Sequence, residues 1–299
     1  MNDFLSDITS KAKSTISKKL NWVGMEEIAI PVQVAITGEE PQSVSAKLGV
    51  FVSLDDQQAK GIHMSRLYLL VNEALANQII TEEKINALLR SLIQSQRGLS
   101  LGSKLTLSFD FTIEKPSLKS QLSGFQSYPI TLTSQFSGTE FKHEIALDIP
   151  YSSTCPCSTS LARQAMADTL SHTFPDDEIN KQNLLDWVQS QQGIVATPHS
   201  QRSFAYLNLG LKTNWPCFHS LIELIENTLV TALQTAVKRE DEQAFAQLNA
   251  ENLMFCEDAA RRLKLCLDKY EPVENYHFKI EHQESLHAHN AVVYADSHR

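Results

Sequence analysis

Two passes of one element order, β-β-α-α-β-β, predict an α+β protein of antiparallel sheets with helices on one face. Three observations carry this expectation. Polar–apolar alternation marks strands, most cleanly at Leu105, Leu107, Phe109, Phe111 and Ile113. Apolar stripes at helical spacing mark helices after the second strand. The order then recurs, although nothing repeats letter for letter.

In the first pass, residues 28–36 and 44–54 read as strands. His63 to Gln78 carries Leu67, Leu70, Val71, Ala74 and Leu75 on one helical face. The next helix starts at Thr81, a suitable N-cap with Glu82 and Glu83 behind it, and turns Ile85, Leu88, Leu89 and Leu92 inward. The strand at Leu105 follows, then one at Tyr128, Ile130 and Leu132. In the second pass, strands are expected at 141–149 and 205–211, helices at 217–236 and 252–268, and strands around 276–280 and 288–294. The stretch 160–197 interrupts this pass as a surface insertion with one or two helices. The chain therefore divides into an N-terminal extension (1–24, with Phe4, Leu5 and Ile8 scattered among polar residues), a first module (25–138) and a second module (139–299). Two four-stranded sheets with free edges would invite side-by-side association into an oligomeric barrel.

The chain has 299 residues and a net charge of −9, with 42% hydrophobic and 20% charged residues, enough for a sizeable core. A diffuse acidic balance argues against nucleic acid or an anionic membrane as partner. No apolar run approaches the roughly 20 residues that cross a bilayer. Five cysteines, an odd number, and no apolar leader point to a reducing, cytoplasmic compartment in which thiols stay free.

The strongest local signal is Ser153-Thr154-Cys155-Pro156-Cys157-Ser158, placed after a strand and a Pro-Tyr-Ser-Ser turn. Pro156 biases Cys155 toward extended geometry, where residues i and i+2 share a side, so both thiols are expected to face one pocket as ligands or nucleophiles. Cys-X-Cys alone is an incomplete metal signature, and further ligands must come from elsewhere. His199 and Arg202 precede a strand, where an imidazole suits a metal and a guanidinium an anion. Lys238-Arg239-Glu240-Asp241-Glu242 reads as a solvated charge run at the end of a long helix. Phe255-Cys256-Glu257-Asp258 opens the last helix. His287 and His289 would share a face if Glu284–His289 were strand. Gly61-Ile62-His63-Met64-Ser65-Arg66 puts His63 and Arg66 at a helix start, a natural anion site. Cys217, Cys256 and Cys266 read as core, and His282 and His298 are given no role.

Taken in order with Trp22-Val23-Gly24-Met25, these motifs resemble GTP cyclohydrolase IB, the metal-dependent type distinct in sequence from the common GTP cyclohydrolase I. The resemblance spans nearly all of the chain past residue 20. It departs at Glu240, where the family has Pro; at Pro198 and Ser200 around His199; and in the 160–197 insertion. It implies the tunnelling fold, with two tandem modules per subunit and a homotetramer whose active sites lie at interfaces. It implies Cys155, His199 and Glu242 as metal ligands, Glu257 as purine anchor and His287 as catalytic histidine, with Cys157 and His289 as secondary candidates. Arg202, Arg66, His63 and Lys238 are the cations available for a triphosphate. The implied metal is zinc or manganese, with ferrous iron the remaining candidate. The implied reaction takes GTP and water to 7,8-dihydroneopterin triphosphate and formate, the first step of folate biosynthesis. Two other readings stay open on the residues: a tunnelling-fold nitrile reductase with a nucleophilic cysteine and NADPH, and a non-catalytic metal-binding protein.

Overall fold

The structure, a computed structural model, describes residues 13–36, 38, 40–212 and 215–297. Phe4, Leu5 and Ile8 of the expected extension, and His298, lie outside the described residues. Eight strands follow chain order across one antiparallel sheet: β1 (Leu20–Val34), β2 (Gln42–Leu54), β3 (Ser103–Pro116), β4 (Ser123–Phe136), β5 (Phe141–Thr154), β6 (Ser200–Leu211), β7 (Val273–His282) and β8 (Ala291–Asp296). Helices α1 (Met64–Leu75) and α2 (Glu82–Ser95) join β2 to β3. Helices α3 (Pro156–Thr173) and α4 (Lys181–Gln189) form the insertion between β5 and β6. Helices α5 (Phe218–Leu229), α6 (Arg239–Glu251) and α7 (Cys256–Leu267) join β6 to β7. No helix among the described residues is long and apolar enough to cross a membrane.

One face of the sheet carries the core. Leu48, Leu105, Leu107, Ile145, Leu147, Leu207 and Leu209 alternate inward, and the apolar stripes of α1, α2, α5 and α7 cover them. Each such Leu or Ile contributes roughly 1.5–3 kcal/mol by leaving water. The other face is polar: Ser108 and Thr131 meet across β3 and β4 at 2.9 Å. Thr81 caps α2, accepting the Lys84 N–H at 3.3 Å.

Several expectations are corrected. The two sheets are one, because β4 pairs with β5 from Ile130↔Leu147 to Phe136↔Phe141. A buried group also ties the halves together. Tyr128 donates to Glu226 Oε1 at 2.5 Å, and Lys115 pairs with the same carboxylate, so α5 is anchored to β3 and β4. The expected helix 217–236 stops at Leu229, and Lys238 caps the start of α6 instead of ending a long helix. Tyr151, Ser152, Ser153 and Thr154 are strand, not turn: β5 runs on to Thr154, paired with Ser200–Ser203 of β6. The 20–24 stretch, read as extension, already belongs to β1.

The β4–β5 seam forks. Beyond Ile130 and Leu147 the two strands part, and the α5–α6 linker enters the opening. Ser152 N–H donates to Thr231 C=O at 2.9 Å, and Tyr151 bridges to Ala232. On the opposite side a Cβ on Gly124 would lie 2.4 Å from Thr235 Oγ1, so only glycine fits there. The linker starts from Val230, whose φ of 73° lies in a region that β-branched residues avoid. A Thr231 N–H to Leu229 C=O bond of 3.0 Å closes this γ-turn.

Candidate active site

The ends of β5 and β6 beside this fork bring the principal candidates together. Cys155 is the N-cap of α3, extended at φ −70° and ψ 124°, and Pro156 takes the first helical position. Cys155 N–H donates to His199 C=O at 3.3 Å, which continues the β5–β6 ladder past Thr154 and Ser200. His199 N–H donates to Ser158 Oγ at 3.1 Å. The insertion thus begins at one candidate ligand and ends at another. The two thiols do not share a face, however. Cys157 lies in the first turn of α3 and is exposed, so the extended i, i+2 argument fails once Pro156 starts a helix.

Glu242 sits in the first turn of α6 and lines a cavity of about 510 Å3 together with Thr154, Pro198 and Ser200, the neighbours of Cys155 and His199. The start of α6 is held by Asp241. This buried carboxylate accepts from Lys119 N–H at 2.7 Å, Ser120 N–H at 2.9 Å, Ser120 Oγ at 2.6 Å and Lys238 N–H at 2.8 Å. Burial by itself would raise its pKa. The Ser120 hydroxyl and the three backbone donors outweigh that and hold it well below the usual carboxylate range. The β3–β4 hairpin of the first half therefore fixes the helix that carries Glu242.

Glu257 lies in the first turn of α7, exposed, and accepts from Cys256 Sγ at 3.3 Å. Burial and this carboxylate push the Cys256 thiol up to about 11, so it is a protonated core residue, not a nucleophile. Met254 N–H donates to Thr154 C=O at 3.2 Å and brings the start of α7 beside the Cys155 strand. His287 and His289 are exposed on the loop after β7, not on a strand; their rings nevertheless stack at 5.0 Å. The same loop places Glu284 Oε2 3.8 Å from His199 Nδ1.

The cation candidates separate. Arg202 is exposed on β6, and Lys238 is exposed at the start of α6, both in the second half. His63 and Arg66 lie at the start of α1, where Gln96 Oε1 accepts the His63 N–H at 2.8 Å and Arg66 donates to Ser95 C=O at 2.7 Å. The pairings Val52↔Ser103, Ser103↔Phe136 and Phe136↔Phe141 put this end of β2 at the start of β5. Cys155 follows the far end of that strand. One chain therefore keeps His63 and Arg66 away from Cys155.

Sequence reasoning missed the polar layer behind His199. Its Nδ1 lies 3.0 Å from Gln201 Oε1, Gln201 Nε2 donates to Ser153 Oγ at 2.8 Å, and Ser153 contacts His282 Nδ1 at 3.2 Å. His282 Nε2 meets Tyr151 OH at 2.9 Å. The available signal was two pairs of inward polar residues two apart, Tyr151/Ser153 and Gln201/Ser203, at paired strand ends.

Among the described residues no three His, Cys, Asp or Glu side chains converge on one point as a metal cluster. The donor chemistry still fits a divalent ion. A thiol, an imidazole and a carboxylate suit zinc or manganese, and the Gln201 contact on Nδ1 leaves Nε2 of His199 free for ligation.

A family profile described as type I GTP cyclohydrolase folE2 matches residues 5–293. The chain belongs to that family. Proteins named GTP cyclohydrolase FolE2 include one from Pseudoalteromonas atlantica, 53% identical over 289 residues that cover 96% of this chain and 94% of the relative. Another, from Hahella chejuensis, is 49% identical over 290 residues, covering 97% and 94%. Among solved structures, a uricase from Arthrobacter globiformis superposes with a TM-score of 0.53 at 10% identity, covering 96% of both chains. That likeness concerns the fold alone and is consistent with the tunnelling fold. FolE2 membership is the level at which the cyclohydrolase resemblance holds, and it gives the nitrile reductase and non-catalytic metal-binding readings no support.

Proposed function

We propose that this FolE2 chain is a GTP cyclohydrolase of the metal-dependent IB type, opening the imidazole ring of GTP hydrolytically to give 7,8-dihydroneopterin triphosphate and formate. The observation that carries the reading is the family match across residues 5–293. The adjoining backbone of Cys155 and His199 supports a shared role for these two residues. Cys155, His199 and Glu242 would hold a divalent zinc, manganese or ferrous ion. When bound, such an ion supplies Lewis acidity, lowering the pKa of a coordinated water from 15.7 toward about 7 so that attack at C8 becomes feasible at neutral pH.

The chain's own residues do the rest. The Glu257 carboxylate accepts from the guanine N–H groups, a pattern adenine cannot present. His287 moves protons during ring opening, and its exposed loop position leaves it free to approach a bound purine. Cys157 and His289 stand beside Cys155 and His287 as secondary candidates. Arg202 and Lys238 neutralise triphosphate from the second half.

His63 and Arg66 stand at the other end of the sheet, so they reach the same substrate only from another copy. That separation and the free edges at β1 and β8 support a homotetramer with active sites between subunits. The modules would be 25–138 and 139–299, preceded by the 1–24 extension, in a cytoplasmic enzyme.

The test incubates purified protein with GTP and added Zn2+ or Mn2+, oxidises the products, and measures pterin fluorescence and formate. Both should rise in equal amounts. Their absence with every metal would overturn the reading.

A further inference from the structure

His199 meets two acceptors with one ring nitrogen. Nδ1 lies 3.0 Å from Gln201 Oε1 and 3.8 Å from Glu284 Oε2. A carboxylate only accepts, so the negative charge on that side favours a proton on Nδ1. The Gln201 amide then shows its oxygen to the ring and turns Nε2 to Ser153 Oγ at 2.8 Å. Ser153 is fixed in turn by Ser203 Oγ at 2.8 Å and by His282 Nδ1 at 3.2 Å, and His282 is fixed by Tyr151 OH at 2.9 Å. Gln201, Ser153, Ser203, His282 and Tyr151 are all buried. Rotating the amide would set its NH2 against a protonated Nδ1, a donor facing a donor beside the Glu284 carboxylate.

We infer that Gln201 is a positioning residue: with Oε1 toward Nδ1 and Nε2 on Ser153 Oγ, it holds His199 in the tautomer with the proton on Nδ1 and the bare lone pair on Nε2. A neutral imidazole binds a metal only through its unprotonated nitrogen, so this tautomer is the one ready for ligation at Nε2. The inference rests on His199 being a ligand, yet the tautomer can be read in the metal-free protein. Glu284 at 3.8 Å stands beyond hydrogen-bond distance and reinforces Gln201 without replacing it.

The experiment records long-range 1H–15N spectra of the histidine rings in the metal-free full-length protein at alkaline pH, with His199 assigned by substitution. The wild type should show Nδ1 protonated and Nε2 bare. In Gln201→Leu the proton should redistribute to Nε2, and Zn2+ affinity, measured by chelator competition, should fall about 10- to 100-fold. Gln201→Glu should restore both, because a carboxylate accepts from Nδ1–H in any orientation. A merely structural role predicts the reverse, since a buried charge harms packing more than leucine does. A bare Nδ1 in the wild type, an unchanged tautomer in Gln201→Leu, or a Gln201→Glu variant worse than Gln201→Leu would overturn the inference. Zn2+ then separates the two ideas: a shifted His199 Nε2 signal supports ligation. If that signal stays unmoved while the tautomer is as expected, the ligand assignment fails and the positioning role stands without it.

Discussion

Cys155 and Cys157 look equivalent in the sequence and are unlike in the structure. Cys155 caps a helix against the His199 backbone, whereas Cys157 faces solvent on the helix itself. Cys155→Ala should therefore lower kcat/KM by more than about 100-fold, beyond the usual effect of losing a residue that only hydrogen-bonds to a ligand. Cys157→Ala should stay within a few-fold, and steady-state assays on the two variants check the contrast. His282 gives a pH signature. Burial pushes its pKa down from 6.5 to about 4, against a smaller opposing pull from the Glu257 carboxylate. Below pH 6.5 the unfolded chain takes up this proton and the folded one does not, so stability is full above 6.5 and drains away as pH falls toward 4. The loss amounts to roughly 3 kcal/mol at the acid end. Melting curves across this window should be flatter for His282→Gln than for the wild type; equal slopes would remove His282 as the cause. Cys155 and His199 could be singled out as candidates because loop cysteines and strand-end imidazoles stand out by type. Tyr151, Ser153, Gln201 and His282 were not, because a buried polar residue is recognisable only from the partner that satisfies it.

Helix α6 shows the same blindness at the level of an element. Sequence patterning finds α1, α2, α5 and α7 because each turns Leu, Ile or Val inward. The buried residues of α6 are Asp241 and Asn249, which no apolar stripe reveals. Asn249 accepts from Ser152 Oγ at 2.7 Å, and Asp241 gathers the hairpin donors, so hydrogen bonds seat this helix where apolar contact seats the others. Asp241→Ala would remove the buried, charged acceptor that Lys119 N–H, Ser120 N–H, Ser120 Oγ and Lys238 N–H share, a cost of roughly 1–3 kcal/mol. Urea unfolding should show that loss, and turnover should drop with it, because Glu242 follows directly on the same turn. Unchanged stability would mean that the hairpin does not seat the helix. The strands at β5 and β6 were likewise read too short at their polar ends, where ladder pairing continues without apolar alternation.

For the whole molecule, two sequence halves become one sheet with candidate groups at opposite ends. If the active site joins Cys155 of one copy to Arg66 of another, two crippled chains can repair each other. Co-refolded Cys155→Ala and Arg66→Ala proteins should regain part of the activity that each lacks alone, whereas the same two changes placed in one chain should not recover. No recovery on mixing would confine catalysis to groups within a single chain. The tandem order was legible because strand and helix periods differ. The continuity of the sheet was not, because the β4–β5 pairing and the Lys115–Tyr128–Glu226 group join residues far apart in the chain.

The insertion leaves and returns between Cys155 and His199, two positions already fastened by a backbone bond and by the Ser158 hydroxyl. Its tip, at Pro175–Asn180, is largely exposed, and a small packing of Phe174 on Trp187 supports it separately. A protease nick at that tip should therefore yield two polypeptides that stay zipped along β5 and β6 and still turn over GTP. The protein could be supplied as two separately made fragments whose reunion is reported by pterin fluorescence, with the reacting groups assembled only when both pieces are present.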